Sequence, residues 1–183
     1  MDKGLIPRRY AKALFEVALE RKDSEKLYEI MQVLASAFTS NPALADTLAN
    51  PFVADSDKAS LLLNAVYGAD TDGADATYSD FVKLLVRNKR VDMARAIAIA
   101  YISLYRKENS IYRVAIASAA PLGAPEKKRL EAIIAAHLGK GTMEYEYSVD
   151  PSLIGGFTVT VNSERLDASV SNQLKRLRLS LVN

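Results

Sequence analysis

The stretch Asp150-Pro-Ser-Leu-Ile-Gly-Gly-Phe-Thr-Val-Thr-Val-Asn-Ser-Glu-Arg-Leu-Asp-Ala-Ser-Val170 compresses a turn, a glycine pair, a strand and a helix start into 21 residues. Asp150-Pro151 starts a turn, because proline fixes its own φ and biases its predecessor away from helix. Gly155-Gly156 permits backbone angles, or a close approach, that a Cβ forbids. Phe157, Val159 and Val161 alternate with Thr158, Thr160 and Asn162, the period of a half-buried strand. Asp167 or Ser169 can cap a closing helix from about Ala168. The stretch has no nucleophile–base pair and no metal cluster. It reads as architecture and points to binding rather than catalysis.

Upstream of it, Ile111 to Ala117 alternates as a strand. Pro125 opens a helix whose apolar stripe is Leu130, Ile133, Ile134 and Leu138, and Gly139-Lys140-Gly141 ends it. Met143, Tyr145, Tyr147 and Val149 then alternate with Glu144, Glu146 and Ser148 as a second strand. Residues 111–183 therefore form a small α/β domain.

The first 110 residues read as six helices. The first runs from Leu5 to Glu20. The second, capped by Asp23 or Ser24, runs to about Phe38. A short third lies between Asn41-Pro42 and Asn50-Pro51. The fourth, capped by Asp55 or Ser56, runs to Tyr67 and stops at Gly68. After an acidic loop, Ala69 to Thr77, come a fifth from Tyr78 to Asn88 and a sixth from Val91 to Lys107. From Ala94 to Leu104 only Arg95 and Ser103 are not apolar, so the sixth is expected to be a central post buried on all sides. The fold class is mainly α: an N-terminal six-helix bundle, 1–110, followed by the α/β domain, 111–183.

Composition narrows function. The chain has 183 residues and no cysteine, which excludes disulfides and thiol chemistry. The single histidine, His137, cannot build a multi-histidine metal site. No apolar run reaches the roughly 20 residues needed to span a bilayer. Residues 1–110 hold 15 basic and 15 acidic residues, and 111–183 hold 9 and 7, so neither part has the positive field of a nucleic-acid binder.

Three segments together resemble one family, the delta subunit of F-type ATP synthase, called the oligomycin-sensitivity-conferring protein in mitochondria. Its C-terminal signature is matched by Asp150, Pro151, Leu153, Ile154, Gly155 and Gly156, then by Leu166, Asp167, Ser169 and Val170. Arg9 to Phe15 resembles its first helix, and Phe81 to Arg90 its fifth. The resemblance implies a non-catalytic stator subunit with no cofactor or metal, a monomer when isolated and present once per complex. It implies that helices one and five receive the N-terminal segments of the alpha subunits, and that the C-terminal domain holds subunit b of the peripheral stalk. Carried over, the groove comprises Tyr10, Leu14, Val17, Phe81, Val82, Leu85 and Val86, with Lys89 and Arg90 on its rim. With no leader pattern in the sequence, the expected place is the cytoplasmic face of the bacterial inner membrane, held there peripherally.

Other readings stay open on pattern. The excess apolar surface of helices one and five also fits plain burial. The stripe Val170, Leu174, Leu177 and Leu181, with Lys175, Arg176 and Arg178 off it, fits an ordinary amphipathic helix as well as a stalk contact. Lys127-Lys128-Arg129 reads as a solvated first turn in an electrostatically odd place. Glu144 and Glu146 read as solvated edge charges, and His137 as a residue at a helix C-terminus. A rival function is an adaptor for nucleic acid or another protein complex, with Arg87 to Arg90 and Lys175 to Arg178 on phosphates. A hydrolase built on His137 has no supporting motif.

Overall fold

The computed structural model describes residues 4–68, 73–162 and 164–169. The chain divides into two compact units, Met1–Lys107 and Glu108–Asn183. The mainly helical class with a small C-terminal α/β part is the architecture found.

In the first unit the described residues form α1 (Leu5–Arg21), α2 (Ser24–Ser40), α3 (Ala43–Ala49), α4 (Asp55–Tyr67), α5 (Ala76–Arg87) and α6 (Ala94–Glu108), with a 3-10 turn Val91–Met93 before α6. Each longer helix buries a stripe spaced three and four residues apart. These stripes include Ala11, Leu14, Phe15 and Ala18 on α1, Leu27, Met31, Leu34 and Phe38 on α2, and Tyr78, Phe81, Val82 and Leu85 on α5. Tyr28 stacks on Tyr105 with ring centres 4.3 Å apart, and Phe15 meets Tyr101 edge-on at 6.0 Å. Deeply buried hydroxyls find acceptors: Tyr78 donates to the Leu62 carbonyl at 2.8 Å and Tyr101 to that of Ser24 at 3.2 Å. Satisfied this way, tyrosine adds apolar area without an unpaired polar atom. Burial holds both phenols well above their ordinary pKa.

Four local expectations are corrected here. Helix α6 is not buried on all sides. Ala94, Ile97, Ala98, Tyr101, Ile102 and Tyr105 face inward, whereas Ile99 is 49% exposed and Ala96 is also exposed. Alanine and isoleucine on its outer face made the pattern apolar without making it interior. Helix α2 follows Asp23, whose side chain makes no cap bond and instead accepts a bond from the Thr77 hydroxyl of α5. Helix α4 begins at Asp55 itself, so Ala54 stands at the cap position and no side chain caps it. The loop expected at 69–77 is shorter, because α5 starts at Ala76. Its cap, Asp75, accepts from the Thr77 and Tyr78 amides at 2.9 and 3.2 Å. Residues 69–72 of that loop lie outside the described residues.

The second unit contains β1 (Ile111–Ser118), α7 (Ala124–Leu138), β2 (Thr142–Val149), a 3-10 turn Pro151–Leu153, β3 (Gly156–Val161) and β4 (Glu164–Ser169). Among the described residues the sheet order is β2-β1-β3-β4. Parallel β1 and β2 are joined through α7, the crossover that parallel neighbours require. Antiparallel β3 lies on the other side of β1, with Val114 opposite Val161 and Ile116 opposite Val159. Val114, Ile116 and Val159 pack with Ile134 of α7 to make this unit's core.

The signature stretch differs from expectation at two points. Gly156 takes a left-handed φ of 77°, but Gly155 does not; Ile154, at 63°, and Asn162, at 53°, also take left-handed φ. And no helix begins at Ala168. Asp167 and Ser169 lie in β4, opposite Thr158 and Gly156 of β3. The closing helix expected beyond them, with its stripe from Val170 to Leu181, lies outside the described residues.

Candidate partner-binding site

Helices α1 and α5 lie antiparallel, clipped together at both ends. At one end the Asn88 amide, just past α5, donates to the Tyr10 hydroxyl at 3.0 Å. At the other, the Arg21 guanidinium donates to the Thr77 hydroxyl and, through two nitrogens, to Asp80, each at 3.1 Å. Tyr10 and Arg21 are three turns apart on α1, roughly 16 Å at 1.5 Å per residue. That is the length of the seam.

The clips show which edge of each helix meets the other. On α1, Tyr10, Leu14, Val17 and Arg21 share one stripe, since they are spaced by three or four residues. On α5, Thr77, Asp80, Leu84 and Asn88 do the same. Leu14 is 7% exposed and Leu85 is fully covered, so they form a floor. Val17 and Leu84, 39% and 45% exposed, stand on the outer lips of the seam. A short apolar trough bounded by polar clips suits an amphipathic helix laid along it.

The residues singled out from sequence fall into two groups. Leu14, Phe81, Val82 and Leu85 are buried within the unit. Tyr10 and Val86 are half-buried, and Val17 is exposed. Val86 lies two residues on from Leu84, so it points roughly 160° round the helix, away from the α1 edge. Leu84 was missing from the sequence-derived set. Its signal is its spacing of seven from Thr77 and four from Asp80, legible only once those two are known to face α1.

A polar cluster supports the α5 end of the trough. Asp75 is 9% exposed. Besides capping α5, it pairs with Lys26 of α2 at 3.1 Å, and its own amide donates to the Tyr67 hydroxyl at 3.0 Å. Burial works against its charge, but the Lys26 contact and the two amide bonds outweigh burial and hold the carboxyl below its usual range. Lys26 is shifted upward by the same partner. Asp23 reaches Thr77 from the α1–α2 link, so Thr77 joins Arg21 and Asp23 beside the first turn of α5.

In the second unit, Asp150 turns the chain by accepting from the Ser152 amide at 3.0 Å, and Pro151 starts the 3-10 turn. An apolar cleft of about 500 Å³ opens between α7 and the β3–β4 side of the sheet, lined by Leu130, Ile133, His137, Phe157 and Leu166 among others. The odd Lys127 lies over the Tyr147 ring at 4.7 Å, a cation–π contact that accounts for a cation in the first turn of α7. Glu146, on the edge strand β2, pairs with Arg113 at 2.6 Å and is exposed.

Among the described residues no three His, Cys, Asp or Glu side chains converge to hold a metal ion, and no helix is long and apolar enough to cross a membrane.

The family model for the ATP synthase delta (OSCP) subunit matches residues 6–181. ATP synthase subunit delta of Parabacteroides distasonis is 37% identical over 182 residues, covering 100% of this chain and 98% of that one. The Bacteroides thetaiotaomicron subunit delta is 34% identical over 184 residues, with 100% and 97% covered. A chain in the cryo-EM structure of the Toxoplasma gondii mitochondrial ATP synthase hexamer superposes with a TM-score of 0.70 at 26% identity, over 97% of each chain. This chain belongs to the ATP synthase delta (OSCP) subunit family.

Proposed function

We propose that the α1–α5 trough receives the N-terminal segments of the alpha subunits, and that the Glu108–Asn183 unit holds subunit b of the peripheral stalk. The chain is a stator subunit of ATP synthase, linking the catalytic head to that stalk. Its task is mechanical. It resists the torque that would otherwise turn the head with the rotor, so it needs slow dissociation rather than an active site. Two modest interfaces on one chain meet that need, because each holds the other's partner at high effective concentration. Nucleotide chemistry and proton flow belong to the partners, and this chain reaches the cytoplasmic face of the membrane only through the complex.

The observation that carries the reading of the trough is the exposed apolar pair Val17 and Leu84 on a seam clipped at both ends, in a chain that matches the family from end to end. Tyr10 and Leu14 line the α1 side, and Phe81 and Leu85 close the floor. Val82 and Val86 support α5 from within. Lys89 and Arg90 stand beyond its C-terminus. For the stalk, support comes from the apolar cleft beside α7, where Ile133 and Leu166 are 58% and 66% exposed.

The test is titration of the full chain with a synthetic peptide of the alpha subunit's N-terminus, at low and high salt. Saturable binding that survives high salt is expected of an apolar trough. No saturable binding, either to the peptide or to the assembled head, refutes the assignment. Binding that collapses with salt would point instead to the charged-adaptor reading.

A further inference from the structure

One face of the second unit's sheet is only half covered. Helix α7, the one α-helix of this unit among the described residues, lies over β1 and β2. Tyr145 and Tyr147 of β2 both donate to Glu131 of α7, and Lys127 sits on the Tyr147 ring. Val114 and Ile116 of β1 pack with Ile134. The β3–β4 half of the same face carries Phe157, Val159 and Val161, which alternate along β3, and Leu166, directly opposite Val159. These four line the apolar cleft of about 500 Å³ together with Ile133 and His137 of α7. A sheet face this apolar calls for a second layer packed against it.

The cleft has room for one more helix. Strands lie about 4.8 Å apart, so the middle of the β3–β4 pair is two spacings, about 10 Å, from the middle of the β2–β1 pair. Packed helices stand about 8–10 Å apart. A helix on β3–β4 would therefore sit beside α7 at ordinary packing distance. The chain itself leads there. Strand β4 runs antiparallel to β3 and ends at Ser169, opposite Gly156 and next to the Phe157 end of the cleft. Residues 170–183 follow. They contain no proline, glycine or acidic residue, and Ser171 and Asn172 are both suited to cap a helix. Leu174, Leu177 and Leu181 recur three and four residues apart and would span about 10 Å as a helix. The run from Phe157 to Val161 along β3 is about 13 Å.

We propose that residues 170–183 are the occupant of this cleft, lying as a helix on the β3–β4 half of the sheet with Leu174, Leu177 and Leu181 against Phe157, Val161 and Leu166. The segment is tethered at the mouth of the cleft, so its effective concentration there is of the order of millimolar, and a free partner must better that to enter. This docking does not depend on any partner. The stalk reading above uses the same cleft, and a second step rests on that reading: a segment of subunit b binds by displacing the chain's own C-terminal segment. The stalk site is then closed until the stalk arrives.

The chain has no cysteine, so an introduced pair reports alone. In the full chain at micromolar concentration, Ile133→Cys/Leu177→Cys should form an intramolecular disulfide under mild oxidation at least tenfold faster than Ile133→Cys/Lys175→Cys. Ile133 is exposed on the cleft side of α7, and on a helix Lys175 points about 160° away from Leu177. In the unsubstituted chain, NMR should show contacts between the Phe157 ring and the methyl groups of Leu174, Leu177 or Leu181, so the result does not hang on a variant that fails to fold. Equal rates for the two pairs, cross-links between two copies, or no such ring contacts each overturn the proposal. The displacement step is read on the same Ile133→Cys/Leu177→Cys chain. Oxidised, it should bind a soluble fragment of subunit b at least tenfold more weakly than when reduced. Should the segment dock while both forms bind the fragment equally, the docking stands and the stalk's use of the cleft fails.

Discussion

Replacing Asp75 by alanine should loosen the α5 wall of the trough by a calculable amount. The carboxylate caps α5 through the Thr77 and Tyr78 amides and is almost covered. Losing an N-cap costs about 1 kcal/mol. Leaving a buried amide without an acceptor adds about 1 kcal/mol more. The sum, about 2 kcal/mol, corresponds to a urea midpoint lower by about 1–2 M at a slope of about 1–2 kcal/mol/M. Far-UV ellipticity, dominated by the helical unit, is the readout. Asp75→Asn keeps an acceptor for both amides but loses the charge that faces Lys26, so it should fall between wild type and Asp75→Ala. The pH dependence has a definite sign. A carboxyl held below its unfolded value contributes stability that is present above that value and lost as pH falls through the folded one. The gap between wild type and Asp75→Asn should be full near neutrality and close below about pH 4. An alanine variant within about 0.5 kcal/mol of wild type, or a gap unchanged in acid, would refute the argument.

On the trough itself, Val17→Asp and Leu84→Asp should each weaken binding of the alpha N-terminal peptide about tenfold or more while leaving the melting curve intact. Leu14→Asp and Leu85→Asp should instead unfold the helical unit, because both residues are covered. In the second unit, burial and the hydrogen bond to Glu131 push the Tyr147 hydroxyl up to about 12. Its absorbance should titrate after that of exposed tyrosines, and Glu131→Gln should bring it down. Since the raised value favours the folded form, Tyr147 contributes stability below about pH 10 that is lost as pH rises through about 12. Ile154→Gly should stabilise the second unit by about 1 kcal/mol, read as a higher denaturation midpoint. A β-branched residue at a left-handed φ costs about 1–3 kcal/mol, and this one is 74% exposed, so little burial is lost.

Much of this architecture was legible because its helices carry strong apolar periodicity and its turns carry glycine, proline and aspartate. The failures have local causes. Asp167 and Ser169 are favoured at helix starts for their side-chain acceptors, and nothing in a single segment reveals that Thr158 and Gly156 will pair with them across a ladder. Asp23 looked like a cap for the same reason, and the competing donor, Thr77, is 54 residues away. For the trough, α1 and α5 are apolar over more than one face, so periodicity could not separate floor from lip. Val86 and Leu84 look equivalent in sequence. Only Asn88 and Asp80, bonded to α1, show that Leu84 is on the seam.

The clips that make the trough join residues 56, 59 and 78 positions apart. A chain emerging from the ribosome therefore cannot present the trough until α5 and Asn88 have followed α1 out, however early α1 becomes helical. A partner that docks there selects for chains whose first unit is finished. With the trough as the proposed docking surface, assembly would carry its own inspection step: a truncated or misfolded subunit would lack the surface by which it enters the complex.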